Sequence, residues 1–298
     1  MRFAAIDIGS NAIRLLLCNV YEKDGQAIFK KSELVRVPVR LGDDAFLHKR
    51  ITDHKVNQLC KTMSAFRDLI EVFGAISYKA CATSAMREAE NGDEIITYIK
   101  RNTGIQIEII DGKTEAQIIY SNHIAENLER GLSYLYIDVG GGSTELTLFS
   151  NGKILASQSF NVGTIRFLHE NVKKEIWTDF KNWIKTNTAA FKPLVAIGSG
   201  GNINKLVKMS GKKDSKSMSY ERLKELREHI EQYSVEERIT QLNLNPDRAD
   251  VIVPAAKIFL TVMKNAGINE ILVPQVGLSD GIIHLLYEQH RGWPENSA

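Results

Sequence analysis

Cysteine is scarce in this sequence. Among 298 residues there are three, Cys18, Cys60 and Cys81. The count is odd, the spacing is wide and no Cys-x-x-Cys occurs, so neither a disulfide framework nor a zinc site is expected. Such usage fits a reducing compartment, and the expected location is the cytoplasm. Long apolar runs are missing too. None approaches the roughly 20 residues needed to span a bilayer. A strand-like run begins at Phe3, which leaves no room for a signal peptide. No membrane partner is therefore expected. An excess of one charge is also lacking: 38 Lys and Arg stand against 36 Asp and Glu, for a formal net charge of +2. So small an excess gives no argument for a nucleic-acid partner, although net charge hides local clustering. No low-complexity segment and no long linker interrupt the chain.

What is present is the balance of a globular protein, 43% hydrophobic and 25% charged residues, in a chain long enough for two ordinary domains. The organising stretch is Tyr134 to Glu145, YLYIDVGGGSTE. It reads as a buried strand that ends in Asp138, then a tight turn through Gly140, Gly141 and Gly142 to Ser143, Thr144 and Glu145. Residues without a Cβ let backbone N–H groups approach an anion, so such a turn can cradle phosphate. Asp138 and Glu145 can hold a hard cation between protein and phosphate. A Gly-rich turn after a strand is often only a hairpin. Here a second copy exists. Phe3 to Arg14, FAAIDIGSNAIR, has the same form, and Asp7 lies about one domain length before Asp138. Hairpin dipeptides follow each copy, Asp24-Gly25 and Asn151-Gly152. The pattern reads as an internal duplication with a phosphate loop in each half.

Further candidates emerge along the chain. In the first loop, Gly9, Ser10 and Asn11 lead to Arg14, a cation set among apolar residues. It is either a solvent-facing strand charge or a guanidinium fork for phosphate. Ile51 to Phe73 has apolar residues at helical spacing and reads as core. A strand over Ser77–Ala82 leads to Thr83 and Ser84, either of which can cap the next helix, with Arg87 in its first turn. A cation there is unfavourable unless it serves an anion or a carboxylate, and an exposed surface arginine is the bland alternative. Glu115 falls in the first turn of a helix starting at Thr114, where acidic residues commonly complement the dipole, so spacing alone makes it a minor candidate. In the second half, a turn at Val162–Thr164 opens a helix carrying Arg166. Trp177, Trp183 and Phe191 read as core. A third strand-to-helix turn contains Gly198, Ser199, Gly200 and Gly201, a setting that suits phosphate or nucleotide. The basic run Lys208 to Lys216 reads as a solvated loop. Asn245-Pro246-Asp247 can cap a helix, Asp250 to Met263 reads as a central helix, and the tail after Arg291 as loose.

Taken together, the motifs carry a resemblance. IDIGSNAIR at Ile6–Arg14, ATSAMREA at Ala82–Ala89, DGKTEA at Asp111–Ala116 and IDVGGGSTEL at Ile137–Leu146 occur with SFNVGTIR at Ser159–Arg166, AIGSGGNI at Ala196–Ile203 and DRADVIVPA at Asp247–Ala255. This set resembles the short form of the exopolyphosphatase and guanosine pentaphosphate phosphatase family, within the actin, Hsp70 and sugar-kinase superfamily. The resemblance implies an α/β fold of two duplicated actin-like (ribonuclease H-like) domains with an interdomain cleft. The expected domains are residues 1–122 and 123–298, with a C-terminal helix over about 283–298 returning to the first.

The same resemblance moves Glu115 to the catalytic role. It matches Asp138 and Glu145 to metal and water-positioning carboxylates, with Asp7 as a further metal ligand. Ser10, Asn11, Arg14 and Arg87 match phosphate-surrounding positions, and the glycines Gly9, Gly140–Gly142, Gly200 and Gly201, with Ser143, complete the phosphate set. Mg2+ or another divalent cation is the implied cofactor, inorganic polyphosphate or guanosine pentaphosphate the implied substrate, and a homodimer the implied assembly. Ser279 stands where the family often has an arginine, and the longer members' C-terminal helical extension has no counterpart here. The implied reaction is hydrolysis of a terminal phosphoanhydride. A kinase or ATPase using the same loops, and a non-catalytic polyphosphate or alarmone sensor, are the alternatives.

Overall fold

The computed structural model describes residues 1–120, 132–151, 153–211, 216–274 and 276–291. The expected domain border at 122/123, the end of the helix from Thr114, Gly152 of the second hairpin, residues 212–215 of the basic loop and the tail after Arg291 lie outside the described residues. The chain divides into two compact units, Met1–His123 with Gly277–Ala298, and Ile124–Val276. The return to the first unit, expected at about 283, begins at Gly277.

The first unit holds strands β1 (Arg2–Ile8), β2 (Ile13–Lys23), β3 (Gln26–Val37), β4 (Ser77–Ala82) and β5 (Ile107–Ile109), in the order β3-β2-β1-β4-β5. β1 to β3 form an antiparallel meander, while β4 and β5 run parallel to β1. The central β1 is buried from Phe3 to Ile8, which is why its sequence is a near-continuous apolar run rather than an alternating one. Around the sheet lie α1 (Leu41–His48), α2 (Asp53–Phe73), α3 (Ser84–Glu88), α4 (Gly92–Thr103) and α5 (Gly112–Tyr120), joined from the end of the chain by α13 (Leu278–Arg291). α13 packs on β1, β2 and α5. His284 stacks on Phe29 with centroids 3.7 Å apart, the Tyr287 hydroxyl donates to Glu22 at 2.8 Å, and Lys31 pairs with Asp280 at 2.7 Å.

The second unit holds β6 (Ser133–Val139), β7 (Thr144–Ser150), β8 (Lys153–Phe160), β9 (Leu194–Ser199), β10 (Ser217–Ser219) and β11 (Glu270–Leu272), in the order β10-β11-β9-β6-β7-β8. From the opposite edge, β8-β7-β6-β9-β11 repeats the plan of the first unit, and β10 is an addition. The duplication expected from the two Asp-Gly loops is thus a duplication of whole sheets. The helices are α6 (Thr164–Leu168), α7 (Lys174–Thr188), α8 (Gly201–Met209), α9 (Tyr220–Glu231), α10 (Val235–Thr240), α11 (Pro246–Ala249) and α12 (Ile252–Ala266). α12 supplies much of the core, where Ile258, Phe259 and Met263 meet Phe180, Ile184 and Leu223. Trp177, Trp183 and Phe191, expected as core, are only partly buried and pack against its margin. Asn245 precedes α11 as expected of a cap, but its side chain makes no capping bond. Nor does that of Thr83 before α3.

Candidate functional site

In each unit the first strand carries an aspartate one residue before its end, and sheet register decides what stands beside it. In the first unit Asp7 is opposite Arg14 on β2 and Cys81 on β4, and Arg14 is opposite Arg36 on β3. Paired residues of neighbouring strands project to the same face, so Cys81, Asp7, Arg14 and Arg36 form one row across the sheet. Arg14 Nη1 donates to Asp7 Oδ2 at 2.6 Å. The adjoining turn is closed by Gly9 N donating to the Ala12 carbonyl at 3.2 Å, and a Cβ on Gly9 would lie 3.1 Å from that oxygen. The carbonyls of Ser10 and Asn11 accept from the amides of Gly42 (2.8 Å) and Arg40 (3.0 Å) at the start of α1. A trans peptide points its C=O and the following N–H in opposite directions. The amides of Asn11 and Ala12 therefore point away from α1. The buried hydroxyls of Ser10 and Ser84 lie 2.9 Å apart, tying this turn to α3.

Arg87 corrects the expectation drawn from spacing. α3 spans only five residues, so Arg87 falls in its last turn, where a cation is not disfavoured. Its Nη1 donates to the Ile110 carbonyl at 2.6 Å, just before α5. Asp111 accepts from Thr114 N at 2.7 Å, which holds its carboxyl below the usual carboxylate range and caps α5. Glu115 follows in the first turn, 9% exposed. Burial chiefly pushes the Cys81 thiol up to about 12, opposed by Lys79 and reinforced by Glu108, Asp7 and Glu115. Asp7 and Glu115 thus lie within electrostatic reach of the same buried thiol, and that thiol is no nucleophile at neutral pH.

In the second unit the equivalent row is Ser199, Asp138, Glu145 and Ser159. Where Asp7 faces an arginine, Asp138 faces a glutamate. Ser159 Oγ donates to Glu145 Oε1 at 2.8 Å. Ser199 Oγ donates to Asp138 Oδ2 at 3.3 Å and to the Val276 carbonyl at 3.1 Å. Two carboxylates directly opposite on neighbouring strands repel, and Glu145 is only 3% exposed. An all-oxygen donor set of this kind fits a hard divalent cation. Among the described residues no three His, Cys, Asp or Glu side chains gather.

The Gly140–Gly142 turn follows. Gly140 N donates to the Ser143 carbonyl at 2.9 Å. The carbonyls of Gly140 and Gly141 accept from the amides of Thr164 (3.0 Å) and Ile165 (2.9 Å), and that of Gly142 from Arg166 Nε at 2.7 Å. All three carbonyls are thus turned to α6, so the amides of Gly141, Gly142 and Ser143 point away from it. Gly163 makes this contact possible: a Cβ there would sit 2.3 Å from the Gly141 carbonyl oxygen. In the third turn Gly200 has φ 106°, and a Cβ on it would lie 3.4 Å from Asp138 Oδ1. Gly201 opens α8.

The model of one protein family matches residues 20–290, and its description is the Ppx/GppA phosphatase family. The chain belongs to the Ppx/GppA phosphatase family. Its two units are the two duplicated α/β domains that the motifs implied. The bifunctional 3-dehydroquinate synthase/phosphatase of Fusobacterium nucleatum is 30% identical over 91% of this Ppx/GppA chain, which spans only 44% of that relative's length. The putative exopolyphosphatase of Haemophilus influenzae is 26% identical over 95% of the chain, which covers 90% of that protein. The crystal structure of an exopolyphosphatase from Cytophaga hutchinsonii shares the fold with a TM-score of 0.84 at 23% identity, covering 97% of this chain and 98% of its own.

Within each domain of this Ppx/GppA protein, register and turn geometry gather most of the expected residues. Asp7, Ser10, Asn11 and Arg14 are grouped in the first, and Asp138, Glu145, Gly140–Gly142, Ser143 and Gly200 in the second. Several partners escaped sequence reasoning: Ser84, Arg36, and the two serines that hold the carboxylates, Ser159 and Ser199. The three serines lie within recognised motifs and Arg36 outside them, and the role of each depends on cross-strand or inter-element pairing.

Proposed function

We propose that this Ppx/GppA chain hydrolyses the terminal phosphoanhydride bond of inorganic polyphosphate or guanosine pentaphosphate and releases orthophosphate. The observation that carries the reading is the one exchange between otherwise matching rows: Arg14 beside Asp7, but Glu145 beside Asp138. The first arrangement suits a phosphate oxygen, the second a cation that accompanies it.

In this scheme the outward amides of the first turn, with Arg14 and Arg87, bind and orient the terminal phosphate and stabilise the charge that develops on it, and those of the Gly140–Gly142 turn bind phosphate oxygens of the substrate. Asp7 holds the Arg14 guanidinium in place. Glu115 orients a water against the terminal phosphorus and takes its proton as the bond to the bridging oxygen breaks. That oxygen departs with the remaining chain. A positioned base is worth ~10²–10⁴ in rate, and positioning with electrostatics supplies most of the rest. Asp138 and Glu145 would hold Mg2+, which when bound neutralises phosphate oxygens, while Asp7 stays with Arg14. A cytoplasmic homodimer is the form in which the family resemblance would have the protein work.

The test is phosphate release measured side by side on long polyphosphate, tripolyphosphate, guanosine pentaphosphate and ATP with magnesium. Release from the first three is expected, and their relative rates assign the substrate. Glu115→Gln is expected to abolish turnover while polyphosphate still binds. Undiminished release by that variant removes Glu115 from the scheme, and phosphate passing from ATP to an acceptor would favour a kinase.

A further inference from the structure

We propose that Arg36 is a second guanidinium of the anion-binding row, one that grips the phosphate chain beside Arg14. The inference deepens the function proposed above and rests on that reading for its substrate class, a linear polyphosphate.

The argument starts from register. Arg36 on β3 is opposite Arg14 on β2, as Arg14 is opposite Asp7 on β1. The irregularity between β2 and β3 falls at Leu17/Cys18, away from this pair, so both guanidiniums project to one face of the sheet. The duplicated domain shows how close such neighbours come. There Ser159 holds the third position, and its hydroxyl meets Glu145 in the second at 2.8 Å. In the second position of the first domain, Arg14 meets Asp7 at 2.6 Å.

Charge separates the rows further. The second domain's row carries two carboxylates and no cation, whereas the first domain's carries one carboxylate and two guanidiniums. Like charges at opposed positions on neighbouring strands cost stability. A phosphate oxygen between them turns that repulsion into paired charge-assisted hydrogen bonds, and guanidinium forks match phosphate geometry. Both arginines are partly solvent-exposed, so the row is open to a soluble anion.

The experiment compares the unmodified chain with Arg36→Gln and Arg36→Lys. Steady-state phosphate release from tripolyphosphate is paired with calorimetric binding of tripolyphosphate in the Glu115→Gln background, and circular dichroism checks folding. Arg36→Gln is expected to raise KM and the dissociation constant at least tenfold and to lower kcat by less than threefold. Arg36→Lys, which keeps the charge without the fork, is expected to recover part of the loss and to serve if Arg36→Gln does not fold. An unchanged KM and dissociation constant in a folded Arg36→Gln protein overturns the inference while leaving the hydrolase reading intact. Weakened binding in a chain that releases no phosphate supports the inference and overturns the hydrolase reading. A chain that binds no tripolyphosphate at all overturns the inference, and one that also releases no phosphate from guanosine pentaphosphate overturns the hydrolase reading too.

Discussion

Gly163 shows how much one missing Cβ can decide. Its neighbours are backbone atoms, with Gly141 O at 2.3 Å and Gly142 C at 2.4 Å from where a Cβ would stand. Backbone cannot rotate aside as a side-chain tip can. Gly163→Ala is therefore expected to destabilise the protein by about 1–3 kcal/mol and to cut phosphate release at least tenfold, because the turn itself must move. Thermal unfolding and steady-state kinetics check both. Asp44 makes a different residue-scale statement. It lies in α1, the helix that takes up the carbonyls of the first turn. Its side chain accepts from the amide and hydroxyl of Thr52 at 2.9 and 2.6 Å and pairs with Lys55 at 3.0 Å. Burial opposes its ionisation, but Thr52 and Lys55 outweigh burial and hold the carboxyl below its ordinary value. A folded-state pKa below the unfolded value of about 3.9 adds stability above that value and loses it as pH falls through the folded one. Asp44→Asn should therefore lower Tm at pH 7, with a deficit that narrows as pH falls below about 4. A deficit constant with pH would contradict this.

At the scale of elements, the pairing of α5 with α13 ties the end of the chain to the candidate base. A Cβ on Gly281 would lie 2.0 Å from the Ile118 carbonyl oxygen, so the helices touch backbone to backbone. Ile118 is three residues past Glu115 in the same helix. Gly281→Ala is expected to displace α5 and lower kcat at least tenfold. Gly104 is the control: nothing stands within 4 Å of its missing Cβ, and its φ of +75° makes Gly104→Ala cost only left-handed strain, about 1–2 kcal/mol, with kcat unchanged. Equal kcat values for the two variants would sink the positioning argument. Elements were legible where local chemistry set them. The two Asp-x-Gly turns are announced by apolar runs that lead into an acid and a glycine. α1 was not, because it starts behind Arg40 in a left-handed conformation without a side-chain cap. α10 carries a readable signal, the Ser234–Glu237 capping box. The place of Arg87 is not legible from spacing, because α3 stops after one turn, with Ala89 already extended. Ser159 and Ser199 could not be assigned partners, since cross-strand register is a property of the folded sheet.

For the whole molecule the governing fact is that one sheet plan occurs twice with its polar row altered. Duplication explains why a single sequence pattern located both turns, and divergence explains why their side chains differ in charge. The central claim is that Glu115 and the Asp138–Glu145 pair are both needed to release phosphate. Residues acting as a unit lose their effects non-additively. The most direct measurement is single-turnover phosphate release from tripolyphosphate by Glu115→Gln, Glu145→Gln and the double variant. Each single variant is predicted to be severely impaired, and the double variant no slower than the worse of the two. Undiminished release by either single variant, or impairments that multiply in the double variant, would contradict the account.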